Sequence, residues 1–240
     1  METHFAFEQV YNFRDMGGYR AADDRTVRWR RLFRTGEPLR MTETEAAELR
    51  AEVPVATVID LRTVDEAGHP RGLGPLISDE VTRHHFPMGD PRSKYDARSS
   101  GAWDPGYPDL MEAHGASWAS IMQILATDEA YPAVFHCVTG KDRAGILGAL
   151  ILGAIGVDDG AILDNFALSQ RGMDRLISDL RARGNITEDI QPNPALGVPV
   201  EAMEVMLTSL RTNHGNAAGF LGKHGVDDQT LEALANQLLE

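Results

Sequence analysis

The 240-residue sequence predicts an α/β fold: a central, mainly parallel sheet flanked by helices, with a helical C-terminal half. Three observations point there. Short apolar, β-branched runs at Val55–Leu61 and Ala133–Phe135 have the unbroken hydrophobicity of strands buried on both faces. Segments of helical character alternate with them. Beyond Asp158 the apolar spacing is helical.

The elements follow in order. Thr42–Glu52 is the first strong helix, because Thr42 and Glu45 form a capping-box pair at its start. Val55–Leu61 is a buried parallel strand ending in polar residues, and Val81–Pro87 is a weaker strand. Pro91–Pro108 is rich in Pro, Gly, Ser and Asp without apolar period, as expected of a lid or binding loop. Tyr107–Leu125 reads as a helix interrupted near Gly115. Ala133–Phe135 is a strand running directly into His136-Cys137. Ala144–Ile155 is apolar on every side, which marks a helix surrounded by protein. Further helices are expected at Asp158–Gln170, Met173–Arg183, Val200–Arg211 and Asp227–Leu239. There is no internal repeat, low-complexity tract or boundary signal, so residues 1–240 are expected to form one domain.

Composition removes several function classes. At 42% hydrophobic and 25% charged residues the chain is not of disordered type. A single cysteine, Cys137, rules out an internal disulfide and a Cys-rich zinc site. The formal charge of −13, from 23 basic and 36 acidic residues, disfavours nucleic acid and anionic membranes as partners. No apolar run is long enough to span a bilayer, so no stable membrane insertion is expected. Met1–His4 lacks the basic stretch and apolar core of a secretory leader, and the cytoplasm is the expected compartment. His84-His85 shows no ligand spacing with the other histidines, and no metal or cofactor is expected.

The chemistry is concentrated in His136-Cys137-Val138-Thr139-Gly140-Lys141-Asp142-Arg143, between a buried strand and the start of a buried helix. A loop so placed can turn successive N–H groups inward, reinforced by the helix dipole. Gly140 and Gly145 permit the tight turn. Arg143, six residues after Cys137, can return its guanidinium to the same anion and bind two oxygens at once. A helix N-terminus and a nearby cation also favour the thiolate over the thiol, whose ordinary pKa is about 8.5. A thiolate in contact with a phosphate cradle suits phosphoryl transfer to sulfur.

His136-Cys137-x5-Arg143 resembles the signature loop of protein tyrosine phosphatases, and Gly140-Lys141-Asp142-Arg143 resembles that of the bacterial tyrosine/lipid phosphatase subfamily. Asn12–Gly18, Leu32–Gly36, Asp60-Leu61-Arg62 and Gly219–Leu221 followed by Gly225-Val226 are similar to further motifs of that subfamily, in the same order along almost the whole chain. The resemblance implies the tyrosine-phosphatase fold and a two-step reaction. Cys137 takes the phosphoryl group as cysteinyl-phosphate, and water releases inorganic phosphate. Arg143 and the amides from Val138, Thr139, Gly140, Lys141 and Asp142 to Arg143 would hold the phosphate oxygens. Asp90, opening the long loop, is the expected general acid, with Asp96 and Asp104 as alternatives. Phosphotyrosine is the implied substrate, and Lys141, a point charge on a flexible stem, extends the implication to phosphoinositides and other polyanions; phosphoserine/threonine is a further implied class. His136, Asp60 and Arg62 are expected to orient the loop, and Asn12, Arg14 and Asp15 to make structural polar contacts. One position departs from the family. Ala144 stands where a hydroxyl commonly follows the Arg, so slower phosphoenzyme hydrolysis, or compensation by Thr139, is expected. Some members of the resembled family are secreted, so a missing leader leaves export open.

Two other classes remain. A rhodanese-like sulfurtransferase also uses Cys in a strand–loop–helix nest, although usually with a shorter Cys-to-Arg spacing. A phosphate-binding module without turnover is the non-enzymatic alternative, consistent with Ala144.

Overall fold

The computed structural model describes residues 4–69, 72–89, 105–186 and 194–240. A five-stranded sheet has the order β1-β2-β5-β3-β4. Its strands are β1 (Arg14–Asp15), β2 (Leu32–Thr35), β3 (Thr57–Asp60), β4 (Thr82–His85) and β5 (Ala133–His136). β1 is antiparallel to β2, and the other pairings are parallel. The registers Thr35↔His136, Asp60↔His136 and Asp60↔His85 bring the C-terminal ends of four strands onto one edge, where ligand sites of open parallel sheets form.

Each face of the sheet is covered because alternate strand residues point opposite ways. Ala133 and Phe135 of β5 and Ile59 of β3 enter one core, whereas Val134 and Val58 enter the other. The second core is closed by Phe7, Phe13 and Phe33 and by Ala46 and Leu49 of α1 (Glu43–Glu52). Thr42 and Glu45 form the anticipated reciprocal capping box at the start of α1. The first core is built on α5 (Asp142–Ala154), whose residues through Leu152 are all buried, as the all-round apolar sequence requires. α3 (Tyr107–Ala113), α4 (Gly115–Leu125), α6 (Asp159–Ala167), α8 (Val200–His214), α9 (Ala217–Lys223) and α10 (Asp228–Leu238) complete that layer. α2 (Val64–Ala67) follows β3, and α7 (Ser169–Ala182) follows α6. Among the described residues, no helix is long and apolar enough to cross a membrane.

The α/β reading holds, with local corrections. β1 and β2 were not anticipated as strands, because Leu32-Phe33-Arg34-Thr35 carries a fully buried arginine that breaks the apolar pattern. The helix expected at Asp158–Gln170 ends at Ala167, and the next begins at Ser169 and runs straight through Gly172. Gly172 is there for close packing: a Cβ would lie 2.2 Å from Asn12 Oδ1. The anticipated interruption of Tyr107–Leu125 falls at His114.

Candidate active site

Cys137 leaves the C-terminal end of β5 and is 1% exposed. In the loop that follows, four successive carbonyls are held from outside. Val138 O accepts from Glu37 N at 3.0 Å and Thr139 O from Asn12 Nδ2 at 2.7 Å. Gly140 O and Lys141 O accept from Arg34 Nε and Nη2, each at 2.8 Å. In a planar trans peptide the N–H points opposite to the carbonyl. Carbonyls anchored outward therefore turn the amides of Thr139, Gly140, Lys141 and Asp142 toward the inner side of the loop, which continues into the N-terminus of α5.

The backbone demands behind this turn are specific. Gly140 has φ +67°, and a Cβ there would come within 2.4 Å of Thr35 C. Gly145 lies against the Phe166 ring, which would be 2.7 Å from a Cβ at this position, so α5 approaches α6 closely enough for Arg34 to sit between them and the loop.

Arg143, the first helical arginine after the loop, is 2% exposed and does not face solvent. Its Nη1 and Nη2 meet Glu66 Oε2 and Oε1 at 2.6 and 3.1 Å, and Nη1 also contacts Leu61 O and Met88 O at 3.3 Å. Glu66 is itself held: its Oε2 accepts from Thr63 N while Thr63 Oγ1 accepts from Glu66 N, a capping box on α2. A bidentate carboxylate of fixed orientation sets the plane of the guanidinium.

Asp60 ends β3 as the register partner of His136, and Arg62 follows it by two residues. Asp60 is fully buried and accepts from Arg62 N, Nε and Nη2 and from Arg83 Nε and Nη2 at 2.8–3.2 Å. Burial pushes its carboxyl up, but His136, Arg62 and Arg83 together hold it well below the usual carboxylate range. Arg62 Nη1 reaches Glu37 Oε2 at 3.2 Å. His136 is fully buried, and burial pulls it down to about 4, so at neutral pH it is an uncharged ring near Cys137 O (3.3 Å) and Asp60 (3.7 Å).

Lys141 is placed differently from the expectation that its ammonium faces substrate. The side chain is buried, with Nζ donating to Ala195 O and Gly197 O at 2.6 Å each and lying 3.6 Å from Asp142 Oδ1. Asp142 Oδ1 also accepts from Tyr107 OH at 2.5 Å, and burial and that carboxylate hold the phenol well above its ordinary range. Thr139 and Ala144 are both buried. Asp90, Asp96 and Asp104 lie outside the described residues.

Several contributors escaped the sequence reading. Glu66 had a signal, since Thr63-x-x-Glu66 directly after Asp60-Leu61-Arg62 is a capping-box pattern. Asn165 and Ser169, which accept from Arg34 and Arg14, had none; they are gathered by the packing of α6 and α7. Asn12 touches the loop directly, in keeping with a structural polar contact, and at φ +60° it occupies a backbone region asparagine tolerates.

Fold and site together define an α/β protein that places a cysteine at the foot of a turn with inward-facing amides, on the C-terminal edge of a mainly parallel sheet. Comparison with known proteins makes the assignment specific. The model of the tyrosine phosphatase family matches residues 5–240, and the chain belongs to that family. It is an enzyme of the protein tyrosine phosphatase class. The triple specificity protein phosphatase PtpB of Mycobacterium tuberculosis is 25% identical, over 96% of this chain and 97% of that protein. A tyrosine-protein phosphatase of Nostoc commune is 26% identical, covering 85% of this chain and 73% of its own. A Cupriavidus necator protein provisionally named as a tyrosine-protein phosphatase is 26% identical over 69% of this chain, and the chain spans only 63% of its length. The crystal structure of Pseudomonas aeruginosa TpbA with pTyr aligns at a TM-score of 0.37 and 18% identity, over 76% of this chain and 89% of that one, too remote a likeness to bear on the site.

Proposed function

We propose that the protein hydrolyses phosphotyrosine through a cysteinyl-phosphate intermediate. The Cys137 thiolate attacks phosphorus, the S–P bond forms and the P–O bond to the phenol breaks. A carboxylic acid, assigned to Asp90, gives its proton to the departing phenolate. Water then attacks the phosphoenzyme, its proton returns to the same carboxylate, inorganic phosphate leaves and the thiolate is restored. The loop amides and Arg143 bind the equatorial oxygens, where charge is held through both steps. No metal enters the scheme.

The observation that carries this assignment is the set of four outward-anchored carbonyls, from Val138 to Lys141, which turns consecutive amides to the inner side of the loop that follows Cys137. A cavity of about 290 Å³ adjoins the loop at Val138 and Thr139; Tyr11, Leu176, Leu180 and Leu196 give it an apolar wall, and Glu37, Arg40, Asp179 and Arg183 a charged rim, a mixed lining that can take a phenol ring together with polar flanking groups. Phosphotyrosine ranks ahead of phosphoinositides because Lys141 would have to release two backbone carbonyls to meet an additional phosphate. The relative PtpB is named for triple specificity, so phosphoserine/threonine and lipid substrates belong in the same assay panel.

Cys137→Ser should lower turnover of p-nitrophenyl phosphate and of phosphotyrosine peptides by about 10⁴-fold or more, while peptide binding persists. Retained hydrolysis removes Cys137 as nucleophile, and sulfur transfer from thiosulfate in place of phosphate release supports the rhodanese alternative. Asp90→Asn should slow peptide substrates about tenfold more than p-nitrophenyl phosphate, whose leaving group needs little protonation. Equal losses would move the acid to another residue.

A further inference from the structure

Arg14 and Arg34 are direct cross-strand partners in the β1–β2 register, and both are fully buried. Two like charges opposite one another in a sheet repel, and burial makes the repulsion worse. Among the described residues neither guanidinium is paired with a carboxylate. Every acceptor is neutral. Arg34 donates to Gly140 O, Lys141 O, Asn165 Oδ1 and Ser169 Oγ, and Arg14 to Asn12 O, Asn165 O and Ser169 Oγ. Arg14 Nε has no partner among the described residues. Asn165 O lies in the last turn of α6, so the strongest local compensation is the partial charge of a helix C-terminus.

A buried charge without a counter-ion is costly unless something else supplies the opposite sign. Arg34 is bonded to the backs of two peptide groups whose front faces are the candidate phosphate cradle. We propose that Arg34, backed by Arg14, is a positioning residue whose uncompensated charge serves the Cys137 thiolate and the bound phosphate through the loop, and that Asn165 must be neutral for that charge to be felt there. The inference rests on Cys137 as nucleophile and adds an electrostatic source behind it. Other ionisable groups facing Arg34 are Asp142, whose Oδ1 is engaged by Tyr107 and Lys141, and the phenols of Tyr107 and Tyr19. Burial pulls Arg34 down to about 10, which leaves it charged at neutral pH, and Cys137 is the largest influence acting against that shift.

Asn165→Asp tests this without removing an arginine. The change is isosteric, its carboxylate can still accept from Arg34 Nη1, and Tyr19 OH can donate where Asn165 Nδ2 now donates to it. Cys137 is the sole cysteine, so iodoacetate reports on it alone. The expected result is a melting temperature equal to or above wild type, with the pH midpoint of alkylation raised by about one unit or more and the inhibition constant of inorganic phosphate raised about tenfold. Both readouts at wild-type values, in a folded variant, would show the arginines to be scaffolding and overturn the proposal. Should Asn165→Asp fail to fold, Arg34→Lys and Arg34→Gln decide: the midpoint should rise in the Gln variant and stay in place in the Lys variant, and equal behaviour overturns the idea. A wild-type Cys137 that resists alkylation in an enzyme without phosphatase activity would instead remove the nucleophile assignment, and this inference with it.

Discussion

Two clusters of arginine flank the Cys137 loop, and they are built on opposite plans. On the β3–β4 side, Arg62 and Arg83 converge on Asp60, and Arg62 continues to Glu37; every cation there meets a carboxylate. On the β1–β2 side, Arg14 and Arg34 donate, among the described residues, to carbonyls, an amide and a hydroxyl, and to no carboxylate. A neutralised cluster fixes geometry but exerts little potential at a distance. An unneutralised one can do both, because its bonds hold the loop and its net charge remains to be met. On the proposed reading, the strand ends beside the Cys137 loop divide the work between location and field.

Asp60→Asn is the largest expected effect and attacks the neutralised side. The substitution leaves the buried Arg62 and the half-buried Arg83 without their shared carboxylate, a loss of about 3 kcal/mol of stability by the usual measure of broken buried pairs. Melting and denaturant titration measure it. The pH dependence has a definite sign. Asp60 is depressed in the native state, so its contribution is fully present above the unfolded value of about 4 and is lost as pH falls through the lower native value. Wild type and variant should therefore differ most at neutral pH and converge under acid conditions. The alkylation midpoint of Cys137 should not rise in this variant, because removing a negative charge cannot disfavour the thiolate. A rise there, of the size expected for Asn165→Asp, would erase the distinction between the two clusters.

How far the sequence alone reveals this arrangement differs between the two sides. The strand–loop–helix around Cys137 was legible because apolar runs, a glycine-bounded turn and Cys-x5-Arg are all local patterns. Asp60 and Arg62 could be placed since they end an evident strand. Arg34 could not, because arginine is among the residues least often buried and its position within Leu32–Thr35 disguises a strand covered on both faces. Arg14 was expected to make a structural polar contact and Arg34 stood only inside a motif, and the neutral acceptors they share, Asn165 and Ser169, are brought in from more than 130 residues away. Glycines read unevenly: the interruption expected near Gly115 is present at His114, whereas Gly172, between two expected helices, lies inside one helix as an approach point for Asn12. Lys141 shows the limit of reasoning from residue type, since a flexible lysine beside a phosphate loop can be tied to neighbouring backbone carbonyls.

Arg143 belongs to the paired plan yet, in the proposed reaction, also binds the phosphate, so Glu66→Gln is the sharper and smaller test. The amide can keep one hydrogen bond but loses the charge-assisted pair at 2.6 and 3.1 Å, worth about 1.5–3 kcal/mol. The corresponding expectation is a fall of about tenfold to a hundredfold in kcat/KM, with phosphate inhibition weakened in parallel, since the guanidinium plane is what the pair maintains. Thr63→Ala removes only the capping hydroxyl beneath Glu66 and should produce a fraction of that loss, a few-fold at most, with about 1 kcal/mol less stability. The graded order matters more than either number. If Thr63→Ala reduces kcat/KM as much as Glu66→Gln does, the carboxylate acts merely as a helix cap and the orientation of Arg143 is set elsewhere. If Glu66→Gln raises activity, pairing with Glu66 competes with phosphate for the guanidinium, and the neutralised side of the site would then restrain turnover.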